Sequence, residues 1–550
     1  MKALTLASRY LHTVRHLRFG QIFHRIRFRL STGRRDFSPA PALRSVTGPW
    51  VYPVERPPSM KGPMRFRFLN EEQPLAGWDD SERPKLWRYN LHYFDDLCAE
   101  GAETRRSWHQ EIIMRWIADN PAFSGSGWEP YPCSLRIVNW IKYALSGNTL
   151  TKAAQHSLAV QTRWLASRIE WHILGNHLLA NAKALIFAGS YFSGPESDCW
   201  RALGLSILAR ELPEQILKDG GHFERSPMYH ALVLEDVLDL INVTRAYDLD
   251  RLPSSSGGSR IGAEFEGYAT RMRLWLAQMC HPDGEIAFFN DASFRIGARP
   301  SQLDDYAQRL GQSPLETQRD ALVDLSESGY IRLADETVTL LVDAAPVGPD
   351  YLPAHGHADT LSFEMSIGAQ RFVVNGGTSL YGNSHERQRQ RGTAAHNTVE
   401  IDGMDSSEVW HGFRVARRAR VIERIVEHAG TALTVRAVHD GYLRLPGKPL
   451  HRRCWTLEGA SLLIDDSIVG DFNFAVAYFH FHPNVVIRVD SGKIEALMPD
   501  GTEVAISPSS RFIAIEDGTW HPEFGVSVDN KRLVIRFDGT NLRTRMTWMQ

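Results

Sequence analysis

Cysteine is scarce in this chain of 550 residues, which contains only five, and no two of them form a CxxC pair. An odd number of scattered cysteines predicts neither a disulfide framework nor a thiolate zinc site. The sequence also lacks a run of about 18 apolar residues that could span a bilayer. Its N-terminus lacks the apolar centre and cleavage site of a secretory signal. We therefore expect a cytoplasmic protein without disulfides.

Net charge is almost absent as well, because 62 basic residues are balanced by 64 acidic ones. This balance argues against nucleic acid as the partner, so any basic surface must be local. One such surface is predicted in residues 1–35, which hold Lys2, eight arginines, no acidic residue, and apolar residues at near-helical spacing. Three interpretations stay open: a helix on a membrane surface, a basic helix packed on the protein body, or a transit peptide.

Apolar periodicity divides the chain into two halves. In the first half, apolar residues recur three and four apart, as in "SLRIVNWIKYAL", and short Gly, Pro or Ser breaks separate seven or eight predicted helices. From about Gly329 the period becomes two, and β-branched runs such as "RLVIRFDG" are typical of an antiparallel sandwich. The predicted organisation is a basic lead-in at 1–85, a helical domain at 86–320 and a β-sandwich at 329–550.

The segment "RSPMYH" predicts a helix start that carries chemistry. Ser226 can cap this helix, and Pro227 suits its first position. Tyr229 then lies in the first turn, where the helix dipole and neighbouring Arg225 favour an anion, so we expect its phenol to ionise more readily than that of a free tyrosine. Arg225 and His230 are candidate substrate-binding residues beside it. The alternative is that Tyr229 and His230 only hydrogen-bond neighbouring loops.

A second predicted helix begins with Asn176 and His177 and is otherwise apolar. Polar groups at such a place either bond the backbone or face a ligand, because burying them unpaired is costly. The upstream segment "GWEPYPCSLRIVNWIK" contains residue types that stack on sugars or pair with carboxylates. These candidate binding residues, for which core packing is the alternative, are Trp128, Tyr131, Arg136 and Asn139.

The second half contains three polar clusters in succession, "HGHAD" at 355–359, "NGGTSLYG" at 375–382 and "AAHNTVEIDG" at 394–403. Alternate residues of a strand share a face, so "AHGHADTLSFEM" predicts a strand whose polar end faces a cleft and whose apolar end enters the core. Strands adjacent in sequence are usually adjacent in space. The side chains expected to converge are His355, His357, Asn375, Tyr381 and His396.

Two of these histidines, His357 and His396, are suitable zinc ligands, whereas Asn375 is a poor third donor compared with Asp, Glu, Cys or His. A structural zinc ion therefore stays an open alternative. Nearby arginines in "HERQRQRG", Arg387 and Arg391, predict a positive field suited to an anionic polymer, with a solvated face as the alternative.

Several motifs, in this order, resemble the heparinase II/III superfamily of polysaccharide lyases: "WRYNLHYFD", "GNHLLANAKAL", "ERSPMYH", "HGHADTLSFEM", "NGGTSLYG", "AHNTV" and "FHFHP". The resemblance covers most of the chain. It implies an incomplete (α/α) toroid followed by an antiparallel β-sandwich, with an active site in the cleft between them.

The resemblance also implies roles for individual residues. Asn176 and His177 match the family's carboxylate-neutralising and catalytic pair, Tyr229 its catalytic tyrosine and His355 its catalytic histidine. Tyr381 lies near a second active-site tyrosine. His357 and His396 resemble ligands of a structural zinc seen in some members, where the third ligand is an Asp and this chain has Asn375.

The implied reaction is β-elimination on an anionic, uronate-containing polysaccharide, and it requires no cofactor. An acid and a base must reach one sugar ring, so Tyr229 and His355 are predicted to lie within about 10 Å of each other. Two other functions stay open. A C5-epimerase would use the same carbanion, and a non-catalytic glycan-binding or assembly factor would act in polysaccharide production, with membrane contact through the basic N-terminal segment.

Overall fold

The computed structural model describes residues 2–251, 260–316, 320–490 and 493–549. The first part of the chain is helical, with a small antiparallel sheet ahead of the third helix: β1 (Met60–Gly62), β2 (Arg65–Phe68) and β3 (Glu71–Pro74). The helices are α1 (Lys2–Val14), α2 (Phe19–Leu30), α3 (Lys85–Tyr93), α4 (Arg106–Asp119), α5 (Pro130–Leu145), α6 (Lys152–Ser167), α7 (Gly175–Tyr191), α8 (Pro195–Gln215), α9 (Pro227–Tyr247), α10 (Ile261–Gln278) and α11 (Pro300–Arg309).

Local sequence explains where several of these helices begin. Proline occupies the first position of α5, α8, α9 and α11, where its missing N–H leaves no bond unmade. From α3 to α11 the described chain forms nine α-helices, where the sequence predicted seven or eight. The short α11, "PSQLDDYAQR", has too few apolar residues to show helical periodicity in the sequence.

Helix α7 is the centre of the helical domain. It packs against α5, α6, α8 and α9, and nearly all of its side chains beyond the first turn are buried. An apolar helix that is buried on all sides needs neighbours around its circumference, which the other helices supply. Its polar first turn lies at the domain surface that meets the sandwich.

Among the described residues, the second part of the chain is antiparallel β-structure with one α-helix, α12 (His385–Arg391). Its strands are β4 (Leu322–Leu325), β5 (Tyr330–Ala334), β6 (Val338–Asp343), β7 (Phe363–Ile367), β8 (Gln370–Val373), β9 (Val399–Ile401), β10 (Val409–Trp410), β11 (Arg414–Val415), β12 (Val421–Ala429), β13 (Ala432–His439), β14 (Leu450–Glu458), β15 (Ser461–Val469), β16 (Ala475–His480), β17 (Val486–Asp490), β18 (Lys493–Leu497), β19 (Glu503–Pro508), β20 (Ile513–Trp520), β21 (Val528–Arg536) and β22 (Asn541–Met549).

Three sheets form a sandwich. One has eight strands in the order β12-β13-β14-β15-β22-β19-β18-β17, and the others have the orders β4-β5-β6-β7-β8 and β20-β21-β16-β9. A bridge between Val373 and Phe481 joins the two smaller sheets. Their apolar faces share a core with the large sheet, where the Phe363 ring lies 6.5 Å from Trp455 and 6.1 Å from Phe479. The predicted fold class, a helical toroid followed by a β-sandwich, is confirmed.

The predicted strand at "AHGHADTLSFEM" is wrong over its first half. β7 begins only at Phe363, and the chain before it turns, with the Ser362 N–H donating to the Asp359 carbonyl at 2.8 Å and Leu361 at a φ of 63°. The Asp359 carboxylate is held by the N–H of Asn290 at 3.0 Å, which ties this loop to the end of the helical domain. The histidines of the motif therefore reach their partners from a loop.

No helix in the described part of the chain is both long enough and apolar enough to cross a bilayer.

Candidate active site

A tyrosine pair joins the two domains. Tyr229, from the first turn of α9, and Tyr381, from the loop before α12, place their hydroxyl oxygens 2.9 Å apart. The cap predicted for α9 is present, because the Ser226 hydroxyl accepts the Tyr229 N–H at 3.1 Å. The His355 ring stacks on Tyr229 with centroids 3.8 Å apart, which confirms that these two residues share one site.

The predicted easy ionisation of Tyr229 is wrong. Burial raises the pKa of this phenol well above its usual range, and the neighbouring Tyr381 and Asp291 raise it further. The Arg225 guanidinium does not offset this effect, because it donates to the Ser328 carbonyl at 2.9 Å. Burial raises the pKa of Tyr381 in the same way. Both phenols therefore keep their protons at neutral pH.

Asp291 is the charged centre of the site. Its carboxylate accepts from His355 Nδ1 and from His357 Nε2, each at 2.8 Å, and pairs with both terminal nitrogens of Arg387. Burial opposes the charge, but Arg387 and the two histidines outweigh it and hold the pKa of Asp291 well below its usual range. Because Nδ1 of His355 donates to this carboxylate, the lone pair of its imidazole lies on Nε2, the nitrogen that faces Glu224.

Glu224 lies on the other side of His355. Its Oε2 is 3.6 Å from His355 Nε2, and its Oε1 is buried without a hydrogen-bond partner among the described residues. Burial raises the pKa of Glu224, although His355 and His177 act in the opposite direction. Glu224 thus has a buried, unpaired carboxylate oxygen beside His355, and its pKa lies above its usual range.

The first turn of α7 completes the site. His177 Nδ1 lies 3.2 Å from Glu170 Oε1, and its ring packs 4.3 Å from that of Tyr131. Burial lowers the pKa of His177, but the negative charges of Glu170 and Glu224 outweigh it, and the net shift is upward. The Asn176 N–H donates to Glu224, and the amide side chain is partly exposed.

The backbone at this helix start has an unusual conformation. Leu174, just before α7, has φ 68° and ψ −158°, a region that is essentially restricted to glycine. Gly175 follows at φ 59°, and a Cβ there would lie 2.5 Å from Leu352 and 3.2 Å from Glu224. This close approach presses the Asn176–His177 turn against Glu224 and the loop that carries His355.

Sequence models of the heparinase II/III N-terminus and of the heparinase II/III-like C-terminal domain match residues 91–312 and 317–549. The chain belongs to the heparinase II/III family. Its relatives include a heparin-sulfate lyase of Bacteroides stercoris, 24% identical over 42% of this chain and 37% of that protein. The FtsZ-localized protein C of Caulobacter vibrioides is 24% identical over 79% of this chain and 78% of its own length.

Solved structures in the family share the fold. Heparinase III superposes with a TM-score of 0.69 over 86% of this chain and 79% of its own, at 17% identity. Heparan sulfate lyase from Pedobacter heparinus gives a TM-score of 0.57 over 89% of this chain and 81% of its own, at 18% identity. The chain thus shares its architecture with this family, whereas it spans less than half the length of its heparin-sulfate lyase relatives in sequence.

All five side chains that the family resemblance marked as catalytic lie together where the two domains meet. They are Asn176, His177, Tyr229, His355 and Tyr381. Sequence reasoning missed Glu224 and Asp291, which contact them. Glu224 stands within the quoted motif "ERSPMYH", and Asp291 follows the apolar run "IAFFN", so a charged residue within a motif or after a buried run was the available signal.

Most of the predicted substrate-binding residues are instead structural. Arg136 is fully buried, and its guanidinium donates to Gln161 at 2.9 Å and to the Gly127 carbonyl at 2.7 Å. Trp128 is packed in the core, and the Asn139 amide is held by Asp95 at 2.7 Å. Helical spacing cannot separate a sugar platform from a core face, and here the core interpretation holds. Tyr131, stacked on His177, is the exception.

The same correction applies to residues beside the motifs. His230 is buried, stacks on Trp275 at 4.3 Å and hydrogen-bonds the Met272 carbonyl, and burial lowers its pKa to about 3. Arg225 is held by Ser328, as described above.

The predicted basic field at "HERQRQRG" is wrong for its two buried arginines. Arg391 donates to the Gly356 carbonyl at 2.8 Å, and Arg387 is paired with Asp291. Instead of attracting an anionic polymer, these arginines hold the loop that carries His355.

The donor set around His357 and His396 does not complete a zinc site. His357 Nδ1 and His396 Nε2 lie 3.2 Å apart, but the Asn375 amide contacts the opposite nitrogen of His396, Nδ1, at 3.3 Å. Among the described residues no group of three His, Cys, Asp or Glu side chains could hold a metal ion. Asn375 is therefore a hydrogen-bond partner of His396 in this geometry.

Proposed function

We propose that this protein is a polysaccharide lyase that cleaves a uronic-acid-containing chain by β-elimination. The observation that carries the proposal is the stack of His355 on Tyr229, with His355 bonded to Asp291 and Tyr229 bonded to Tyr381. This arrangement puts a base and an acid side by side in one cleft. Family membership supports the same reaction class.

His355 is the proposed base. With Nδ1–H donated to the Asp291 carboxylate, Nε2 is free to take the C5 proton of the uronate, and the carboxylate then stabilises the imidazolium that forms. Tyr229 keeps its proton because of burial, so it is the proposed acid. It protonates the C4 oxygen as the C4–O bond breaks and the C4–C5 double bond forms. The proton that His355 took from C5 then passes to the Tyr229 phenolate, directly or through Tyr381, which restores both groups.

The uronate carboxylate must be neutralised before C5 becomes acidic. We assign this task to the Asn176 amide and the charged form of His177, since donors fixed in a buried site stabilise developing negative charge.

The charges around the cleft favour a substrate of low charge density. Glu224, Glu170 and Glu129 all act on His177, and Glu129 accepts from Lys85 at 3.0 Å. Repeated sulfate groups would meet these carboxylates, while a single uronate carboxylate can be held by His177 and Asn176. We therefore expect non-sulfated or sparsely sulfated polyuronates to react better than heparin.

The test is incubation of the full chain with a panel of acidic polysaccharides, including heparan sulfate, chondroitin, hyaluronan, alginate and bacterial exopolysaccharides. A lyase gives a rise in the ultraviolet absorbance of the C4–C5 double bond, and Tyr229→Phe slows this rise by a factor of about 10²–10⁴. Deuterium incorporation at C5 without that absorbance would instead identify an epimerase and overturn the proposal.

A second candidate is a non-catalytic glycan-binding or assembly factor. The match to FtsZ-localized protein C over 79% of this chain favours it, because that relative is named for its location in the cell. Binding of a polysaccharide without either chemical change, unaffected by Tyr229→Phe, would support this candidate.

A further inference from the structure

Helix α2 packs on the protein body with only one of its faces. Gln21, His24 and Phe28 lie on that face, three and four residues apart. Gln21 Nε2 donates to the Tyr351 carbonyl at 3.3 Å, and the Phe28 ring lies 4.3 Å from His172. These contacts fix the orientation of α2.

The opposite face of α2 is an apolar stripe that faces solvent. Its residues recur at helical spacing along the whole helix and are 40–84% exposed: Phe19, Ile22, Phe23, Ile26 and Leu30. Single exposed apolar residues are ordinary, but an uninterrupted row along one helix face indicates an interaction surface. Helix α1 adds Leu6, Leu11 and Val14, which are 46–68% exposed.

Arginines flank this stripe on both sides. At 100° per residue, Arg27 lies about 80° from the centre of the stripe on one side, and Arg29 lies about 80° from it on the other. Both are exposed, as is Arg25. The first acidic residue of the chain is Asp36, so neither α1 nor α2 contains a negative charge.

We propose that α1 and α2 dock the protein on the surface of an anionic lipid bilayer. An apolar stripe with arginines along its edges matches a helix that lies in the interface, with its apolar face among the acyl chains and its cations at the headgroups. A second copy of this chain fits less well, because its own arginines would face these arginines without any acidic partner.

The docking surface is close to the cleft. Tyr351, which receives the bond from α2, lies four residues before His355, and His172 lies five residues before His177. On α1, the Thr13 hydroxyl accepts from Trp410 Nε1 at 3.2 Å. The Trp410 loop also carries Phe413, whose ring lies 6.0 Å from His355. A docked molecule would therefore hold its cleft near the membrane surface.

The experiment is flotation of the full chain with vesicles of phosphatidylcholine alone and of phosphatidylcholine mixed with phosphatidylglycerol. The test variant is Phe23→Glu combined with Ile26→Glu, at positions that are 52% and 57% exposed. The matched control is Phe512→Glu combined with Ile422→Glu, at sandwich positions that are 47% and 55% exposed. A third variant, Arg27→Gln with Arg29→Gln, tests how much these positive charges contribute to binding of anionic lipid.

We expect the wild type and the control to float with the anionic vesicles and to float poorly with the neutral ones. The stripe variant should bind more than tenfold more weakly, because two apolar anchors become anions. Each arginine removed should weaken binding about fivefold, and added salt should have the same effect. Thermal unfolding of each variant establishes that it is folded.

Three results would overturn the proposal. They are wild-type protein that does not float with anionic vesicles, equal loss of binding in the stripe and control variants, and self-association that the stripe variant abolishes. The last would assign the stripe to a second copy of the chain. None of these results bears on the ultraviolet assay, so docking and lyase activity can fail independently.

Discussion

The His355 Nδ1 atom lies 2.8 Å from Asp291 Oδ2, and this bond joins the sandwich to the helical domain at the candidate active site. The same carboxylate neutralises Arg387, which is fully buried. Asp291 is thus both the group that sets the His355 tautomer and the counter-ion of a buried cation.

Asp291→Asn should therefore impair stability and catalysis together. Removing one partner of a buried ion pair costs about 3–5 kcal/mol, because Arg387 loses its counter-charge. An amide that donates to His355 Nδ1 would also reverse the tautomer and occupy the proposed base. Chemical unfolding and initial rates on a reactive polysaccharide measure the two effects.

Asp466 provides a matched control for this substitution. It holds Arg453 and His451 in the sandwich core in the same way, with His451 Nε2 at 2.7 Å, and is not part of the candidate site. Asp466→Asn should destabilise the protein comparably while the folded fraction keeps its turnover. Equal losses of turnover in both variants would show that Asp291 acts only through the fold.

Tyr229→Phe should lower turnover by a factor of about 10²–10⁴, the usual contribution of a general acid. The ring stack on His355 is kept, so the change removes only the hydroxyl that bonds Tyr381. Tyr442→Phe is the control, since its buried hydroxyl donates to the Val399 carbonyl in the sandwich core. Normal turnover in Tyr229→Phe would show that another group is the acid.

The parts of the fold that the sequence predicted best are those set by local pattern. The cap at Ser226 and the helix at Asn176 need only neighbouring residues, and both occur as expected. The "HGHAD" strand failed because Asp359 bonds Asn290, a residue far away in sequence. A hydrogen bond between residues so far apart in sequence leaves no periodic pattern from which it could be predicted.

Charge and burial explain the errors at the site itself. An arginine in a sequence is expected to lie in solvent. Arg387 and Arg391 are instead buried and hold loops. The helix-dipole argument for Tyr229 considered only the first turn of α9. Burial by Tyr381 and His355, from the other domain, decides the pKa direction instead.

Buried neutral histidines should make the protein sensitive to acid. Burial lowers the pKa of His92 and His480 to about 3 and that of His357 to about 4. In the unfolded chain these histidines bind protons with a pKa of about 6.5, whereas in the folded protein they stay neutral until the pH is much lower. Their contribution to stability is complete above pH 6.5 and is lost as the pH falls towards 4, so the free energy of unfolding should decrease over that range. The raised pKa of His177 acts in the opposite direction.

Denaturant unfolding at several pH values between 7 and 5 measures this effect. Each proton taken up on unfolding contributes about 1.4 kcal/mol per pH unit to the slope. His480→Gln removes one group that takes up a proton on unfolding, so the slope should fall by about 1.4 kcal/mol per pH unit. The glutamine amide replaces the bond from His480 to the Ala394 carbonyl. A free energy of unfolding that does not change between pH 7 and 5 would contradict the prediction.

The His357–His396 pair carries the last prediction, which concerns zinc. His357 donates through Nε2 to Asp291, so its Nδ1 is an acceptor that needs an N–H from His396 Nε2. His396 Nδ1 is then an acceptor too, and the Asn375 NH₂, which is buried without a partner, satisfies it when the amide is turned. This turn gives up the two long bonds, both 3.4 Å, that Asn375 Oδ1 accepts from Asn397. His451 and His439 form the same neutral chain on Asp466, closed by the Gly441 N–H.

We therefore expect purified protein to contain far less than one zinc per chain. Asn375→Asp removes the N–H donor and adds the negative charge that zinc prefers, so zinc affinity should rise while the metal-free variant loses about 1–3 kcal/mol of stability. Elemental analysis and unfolding with and without zinc measure both quantities. Stoichiometric zinc in the wild type, lost on His357→Ala or His396→Ala but not on His451→Ala, would show instead that the two imidazoles bind the metal without a carboxylate.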